Sequence, residues 1–191
     1  MKKIFVMVAA AAALVAFKPI EKSTWSLDKA HAKLGFTATH MMVSDVEGWF
    51  KTFDATLTVN KEDYSDAQVD LTAEIKSINT EEVKRDEHLC SPDFFDAAKF
   101  PTLTFKSKSF KKVKDNTFKV TGDLTMHGVT KSVELDAFIR TATNPMNKKS
   151  ITGVKVSGVI KRSDFTLGGS FPTAIVSDEI TLIGNAEFIK N

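Results

Sequence analysis

The segment Phe118-Lys119-Val120-Thr121-Gly122-Asp123-Leu124-Thr125-Met126 puts Phe118, Val120, Gly122, Leu124 and Met126 on one side and Lys119, Thr121, Asp123 and Thr125 on the other. A period of two is that of a β-strand with one apolar and one wet face. The same alternation recurs in Leu34–His40, Phe53–Val59, Leu71–Ile75, Val133–Ile139, Val154–Ile160 and Leu182–Phe188. Many such strands imply an antiparallel sheet. Closing it into a barrel removes its edges and places every apolar face inside. A two-sheet sandwich would satisfy the same pattern. Strand length favours the barrel: 49–60 and 129–141 each read as one run of about twelve residues, against a usual five or six. Gly122, Gly158 and Gly184 fit places where a coiling sheet must bend. An all-β antiparallel barrel of about eight strands is therefore expected.

One stretch departs from the alternation. From Glu81 to Cys90 the spacing is helical, with Thr80 as the expected N-cap and Glu81 and Glu82 in the first turn. Ser91-Pro92 predicts a second short helix anchored by Phe94 and Phe95 and ended by Phe100-Pro101. This helical insert is expected to cover one end of the barrel.

At 191 residues the chain fits one domain. Met1-Lys2-Lys3 followed by an apolar run from Ile4 to Phe17 reads as a secretory signal peptide, 1–16, with a linker over 17–23 and the barrel over 24–191. Leu14-Val15-Ala16 follows the small-x-small rule loosely, and an uncleaved N-terminal anchor is the alternative. Cleavage would put the protein in the periplasm, not integral to the membrane. It would remove Lys2 and Lys3 from the 26 Lys and Arg, leaving these equal to the 24 Asp and Glu. A neutral domain has no global field with which to gather nucleic acid or anionic lipid, and no nucleic-acid partner is expected. Cys90 is the only cysteine, so an intrachain disulfide is excluded and the core must hold the fold. A lone thiol in a helical segment reads as a small buried hydrophobe.

The four histidines, His31, His40, His88 and His127, lack a paired metal-ligand spacing, and no metal is expected. Arg85, Asp86 and His88 could orient a general base, but no nucleophile elbow or phosphate loop accompanies them. The simpler reading makes Arg85 and Asp86 ion pairs that tie the helix to the barrel rim. Small inward residues such as Ala38, Ala55 and Ala137 leave volume for a ligand, whereas Phe36, Phe53, Phe118 and Phe188 could fill it as an ordinary core. The alternation leaves both readings open.

Several ordered motifs add to this. Trp25-Ser26-Leu27-Asp28 with His31, Phe36 and His40 is followed by Gly48-Trp49-Phe50 and by Arg85-Asp86-x-His88-Leu89. Asp93-Phe94-Phe95-Asp96, Gly122 to Lys131, and Arg162-Ser163-Asp164-Phe165 complete the set. Through them the chain, from Trp25 to about Ile189, resembles the YceI-like family. The resemblance implies an extended lipocalin-like barrel, secreted to the periplasm, that takes a polyisoprenoid or similar long-chain amphiphile in its lumen. It implies no catalytic residues and no cofactor beyond that lipid. Phe36, Phe53, Phe118, Leu135 and Phe188 become candidate wall residues, and His40, Arg85, Asp86 and His88 candidate polar groups near an opening. The expected partner is an isoprenoid, quinone or fatty chain, and a homodimer is compatible with the reading. An enzyme acting on a lipid or quinone, or an interaction barrel with a filled core, are the alternatives. Thr166 stands where the family often carries glycine, which puts the loop running to Phe171-Pro172 in question.

Overall fold

The computed structural model describes residues 23–191; the expected signal peptide, 1–16, lies outside the described residues. Ten strands follow in order: β1 (Ser23–His40), β2 (Ser44–Phe50), β3 (Phe53–Val59), β4 (Gln68–Glu74), β5 (Ile78–Asn79), β6 (Thr102–Lys114), β7 (Thr117–Met126), β8 (Val129–Thr143), β9 (Ser150–Lys161) and β10 (Val176–Lys190), with one α-helix, α1 (Val83–Cys90), between β5 and β6 and short 3-10 turns at Ile75–Ser77 and Arg162–Phe165. All pairings are antiparallel, and β10 pairs back onto β1, closing the sheet. The wall has eight staves, because β2–β3 form one interrupted stave and β4–β5 another. Closure satisfies the backbone groups that an open edge would leave unpaired.

The expected continuous strand over 49–60 is broken. Phe50 ends β2, and the Lys51 N–H donates to the Ser77 carbonyl at 3.0 Å and the Thr52 N–H to Ser77 Oγ at 3.0 Å. With those donors turned toward Ser77, the chain shifts before resuming as β3. The strand starting at Val129 runs unbroken, two residues beyond the expected end, to Thr143.

The helical insert also differs. α1 begins at Val83, and Glu82 rather than Thr80 caps it, accepting from the Lys84 N–H at 3.1 Å. Glu81 sits at φ +65°, which turns the chain between Thr80 and the helix. The second helix after Ser91 does not form. Instead the Ser91 carbonyl accepts from the Phe94 and Asp96 N–H groups in successive turns. Those turns bury Phe94 and Phe95, a packing gain that outweighs regular helix hydrogen bonding in so short a segment.

Between β7 and β8, His127 (φ +50°) and Gly128 (φ +72°) form a two-residue turn with Met126 opposite Val129. Positive φ at both central residues matches the right-handed twist of the flanking strands. Gly122 pairs with Ser107, where β6 shifts register before Ser109, and the Phe105 ring occupies the space a Cβ would need.

The end of the barrel carrying Ser23 and the β3–β4 loop, the lower end, is filled. Trp25, Leu57, Val59, Phe118 and Ile139 are buried there, and Tyr64 folds in from the loop. At the upper end, the turns holding Phe94 and Phe95 and the segment from Phe165 to Phe171 close over the staves.

Candidate functional site: the lumen and its mouth

Between these plugs lies an apolar cavity of 220 Å³. Phe36, Phe53, Leu135 and Phe188 line it, together with Leu34, Leu71 and Leu124 from neighbouring staves. Phe110 forms its floor, standing edge-on to Phe118 at a centroid distance of 6.4 Å. Phe118 itself does not line the cavity; it is 3% exposed in the filled lower core, below Phe110. Ala38, Ala55 and Ala186 border the space, whereas Ala73 and Ala137 are packed away from it.

Several inward side chains on the staves nearest β1 (Leu27, Leu34, Phe36, Phe53, Ile180, Leu182) are only half-buried. Leu27, Leu34 and Phe53 also border a depression on the outside of the wall, whereas Phe36, Ile180 and Leu182 border the cavity alone, and their accessible surface faces void rather than neighbours. A space with such a lining offers water no hydrogen-bond partners. It would exchange that unfavourable contact for an apolar chain at roughly 0.8 kcal/mol per buried methylene.

The polar candidates are not brought to the cavity. His40 is exposed at the last position of β1, opposite Ser44 and Val176. Arg85 donates from Nε to Thr80 Oγ1 at 2.7 Å and from Nη2 to the Thr80 carbonyl at 2.6 Å. Asp86 accepts from the Thr80 N–H at 2.8 Å and from its hydroxyl at 2.6 Å. Both side chains thus clamp buried Thr80 at the junction of β5 and α1. His88 lies edge-on to Phe94 and Phe171 at 5.1 and 5.4 Å, with Nε2 at 3.2 Å from Asp93. Arg85, Asp86 and His88 therefore do not converge on one substrate position. Cys90 is half-buried with Sγ 3.7 Å from the Ile75 carbonyl, and burial pushes its thiol pKa up. A thiol held protonated in this way packs rather than attacks.

Arg162 organises the upper closure. Its guanidinium donates to five carbonyls: Ser177 at 3.1 Å, Leu167 at 2.9 Å, Gly168 at 2.7 Å, Phe171 at 2.7 Å and Val176 at 3.1 Å. Every N–H of the fork is used, which is what allows a charged group 5% exposed to stand at the lumen. The motif Arg162-Ser163-Asp164-Phe165 marks the residue in the sequence but not its role, because its acceptors come from a loop that returns from up to fifteen residues away. Thr166 follows in the left-handed region at φ +57°, a conformation suited to glycine. The loop closes despite the substitution: Thr166 Oγ1 is 2.9 Å from His127 Nδ1 and donates to the Phe165 carbonyl at 2.7 Å.

These features define a closed antiparallel barrel around an apolar lumen, with helical and loop segments across one end and a filled core at the other. A family model, the YceI-like domain, matches residues 25–188. The chain belongs to the YceI-like family. It is 36% identical to a UPF0312 protein of Staphylococcus aureus over 167 residues, covering 87% of this chain and 94% of that protein. It is 37% identical to Protein YceI of Escherichia coli O157:H7 over 169 residues, or 87% and 86% of the two chains. The crystal structure of a Campylobacter jejuni YCEI protein superposes with a TM-score of 0.73 at 37% identity, covering 80% of this chain and 90% of that one. BcnA of Burkholderia cenocepacia gives 0.75 at 26% identity, covering 84% and 98%. A polyisoprenoid binding domain from Saccharophagus degradans shares the fold, at 0.67 and 16% identity over 87% and 98% of the two chains.

Proposed function

We propose that this protein binds the apolar chain of a polyisoprenoid or similar long-chain amphiphile in its lumen and carries it in the periplasm. The observation that carries this reading is the set of half-buried inward side chains, Phe36, Ile180 and Leu182 among them, around an apolar space plugged at both ends of the barrel. A filled-core barrel would bury them. Membership of the YceI-like family is in keeping with a binding role, and the polyisoprenoid binding domain of the same fold is a precedent for the ligand class. The lumen as it stands, at 220 Å³, is smaller than the roughly 300–1,000 Å³ of ordinary ligand pockets. A long chain therefore enters only as the half-buried lining side chains rotate aside, or with part of its length outside.

In this reading Phe36, Phe53, Leu135 and Phe188 contact the tail, the bound lipid is the only non-protein component, and no step of bond chemistry is involved. The leader at 1–16 delivers the domain to the periplasm, and the carrier works as a monomer or a homodimer that sedimentation would distinguish.

The test is organic extraction and mass spectrometry of the mature protein purified from its native periplasm without detergent. A stoichiometric isoprenoid, quinone or fatty chain is expected. Protein that is lipid-free, and stays so after incubation with such lipids, would return the barrel to an interaction role.

A further inference from the structure

The barrel wall is interrupted at one height. β1 shifts register between Asp28 and Ala32. Directly across, β1 pairs with β3 only from Ser23 to Ser26 and with β2 only from Gly35 to His40. The intervening part of β1 therefore has no ladder partner on that side, and it faces the break at Lys51-Thr52. A depression of 400 Å³ occupies the gap. Leu27, Leu34, Phe50 and Phe53 form its inner wall, and all four also line the lumen. The depression therefore backs directly onto the apolar cavity, while both ends of the barrel are plugged.

The outer rim of this breach is polar and mainly cationic. Lys29, Lys33 and Lys51 border it with Thr52, and Glu81 supplies the single bordering carboxylate. Lys29 is committed to Asp54 at 3.0 Å. Lys33 extends over the Trp49 ring at 5.6 Å. Among the described residues neither Lys33 nor Lys51 forms an ion pair, as is the case for most lysines of this surface, so both ammonium groups are free to meet an anion. The breach thus joins two ammonium groups without carboxylate partners to an opening into an apolar space. That is the polarity of an amphiphile with an anionic head.

We propose that the gap between β1 and the β2–β3 stave is a lateral portal: the tail enters the lumen through it, and a phosphate or carboxylate head group stays at the rim on Lys33 and Lys51. The proposal rests on the lumen reading above. Ammonium groups at a half-open rim act on an anion through partly screened Coulomb attraction, so their effect falls with added salt. Glu81 opposes the same anion.

The test compares dodecyl phosphate with dodecanol, which share a tail, by titration calorimetry on the mature protein at low salt. Dodecyl phosphate is expected to bind about tenfold more tightly, an advantage typical of two partly exposed charge contacts. In the double variant Lys33→Gln/Lys51→Gln the ratio of the two affinities should fall to about twofold, and Glu81→Gln should raise it. Equal binding of both ligands by the wild type, or an unchanged ratio in the double variant, overturns the portal while leaving the lumen intact. Binding of neither ligand overturns the lumen reading and the portal with it. Millimolar inorganic phosphate should leave dodecyl phosphate binding nearly unchanged; displacement by inorganic phosphate would make the rim a free-phosphate site and overturn the lipid assignment.

Discussion

The hydroxyls of Tyr64 and Thr152 meet at 2.7 Å across the lower end of the barrel, joining the β3–β4 loop to β9. Thr152 is fully buried and Tyr64 is 9% exposed, so each hydroxyl depends on the other. Burial raises the Tyr64 pKa, which keeps the phenol protonated and able to serve as the donor. This contact seals the end of the barrel from which no ligand is expected to enter.

Removing one partner should cost more than removing both. Tyr64→Phe leaves the Thr152 hydroxyl buried without a partner, and a loss of about 1–3 kcal/mol is expected. In Tyr64→Phe/Thr152→Val no polar group is stranded, so the double variant should be more stable than the sum of the single changes. Urea unfolding of the four proteins measures the coupling. Strict additivity would show that the contact is incidental.

Arg162 should not tolerate lysine. Five carbonyls converge on its guanidinium, and an ammonium has three donors and no planar fork. Arg162→Lys is expected to destabilise by about 2–4 kcal/mol and to open the segment between Arg162 and Val176 to proteolysis. A variant with wild-type stability and the wild-type digestion pattern would contradict this account of the upper closure.

Two alanines that read alike in sequence should respond differently to enlargement. Ala186 borders the lumen, so Ala186→Trp should fill it and abolish lipid uptake while the barrel still folds. Ala137 is 1% exposed and packed away from the cavity. Ala137→Trp should destabilise by about 1–3 kcal/mol or more through overpacking. Lipid content by mass spectrometry and melting temperature together separate the two. Full lipid loading of Ala186→Trp would place the ligand elsewhere.

His31 contributes to stability on the acid side of neutrality. Its hydrogen bond to Asp28 at 2.9 Å raises its pKa above 6.5. The folded protein holds the proton more tightly than the unfolded chain does. The contribution is therefore fully present below the unfolded value and is lost as pH rises through the raised folded value. Asp28, whose pKa the same contact lowers, adds stability above its unfolded value of 3.8 and loses it as pH falls further. His31→Gln should thus lower the urea midpoint more at about pH 5.5 than at about pH 9, and equal effects at both would refute the linkage.

Most of the barrel was legible because alternation with period two needs only local chemistry. Phe118 to Met126 and Val133 to Ile139 stand in the structure with the faces their residues assign. The helix was legible in place but not in its cap: Thr80 looked like an N-cap, yet Arg85 and Asp86 hold it buried at a strand end. Where a hydroxyl has two charged competitors five and six residues on, local capping preference does not decide its partner.

What the sequence by itself determined is the inward and outward faces, the antiparallel all-β class and the family. What only the tertiary structure decided is which inward residues meet void and which meet each other. Phe118 and Phe188 both point inward, but Phe110 stands between Phe118 and the cavity, while Phe188 lines it. Likewise the breach at Lys51-Thr52 arises because Ser77, more than twenty residues away, accepts the hydrogen bonds that would have continued the strand. Facing is a local property of the backbone; emptiness depends on side chains and partners brought in from other staves, and those exist only once the sheet has closed.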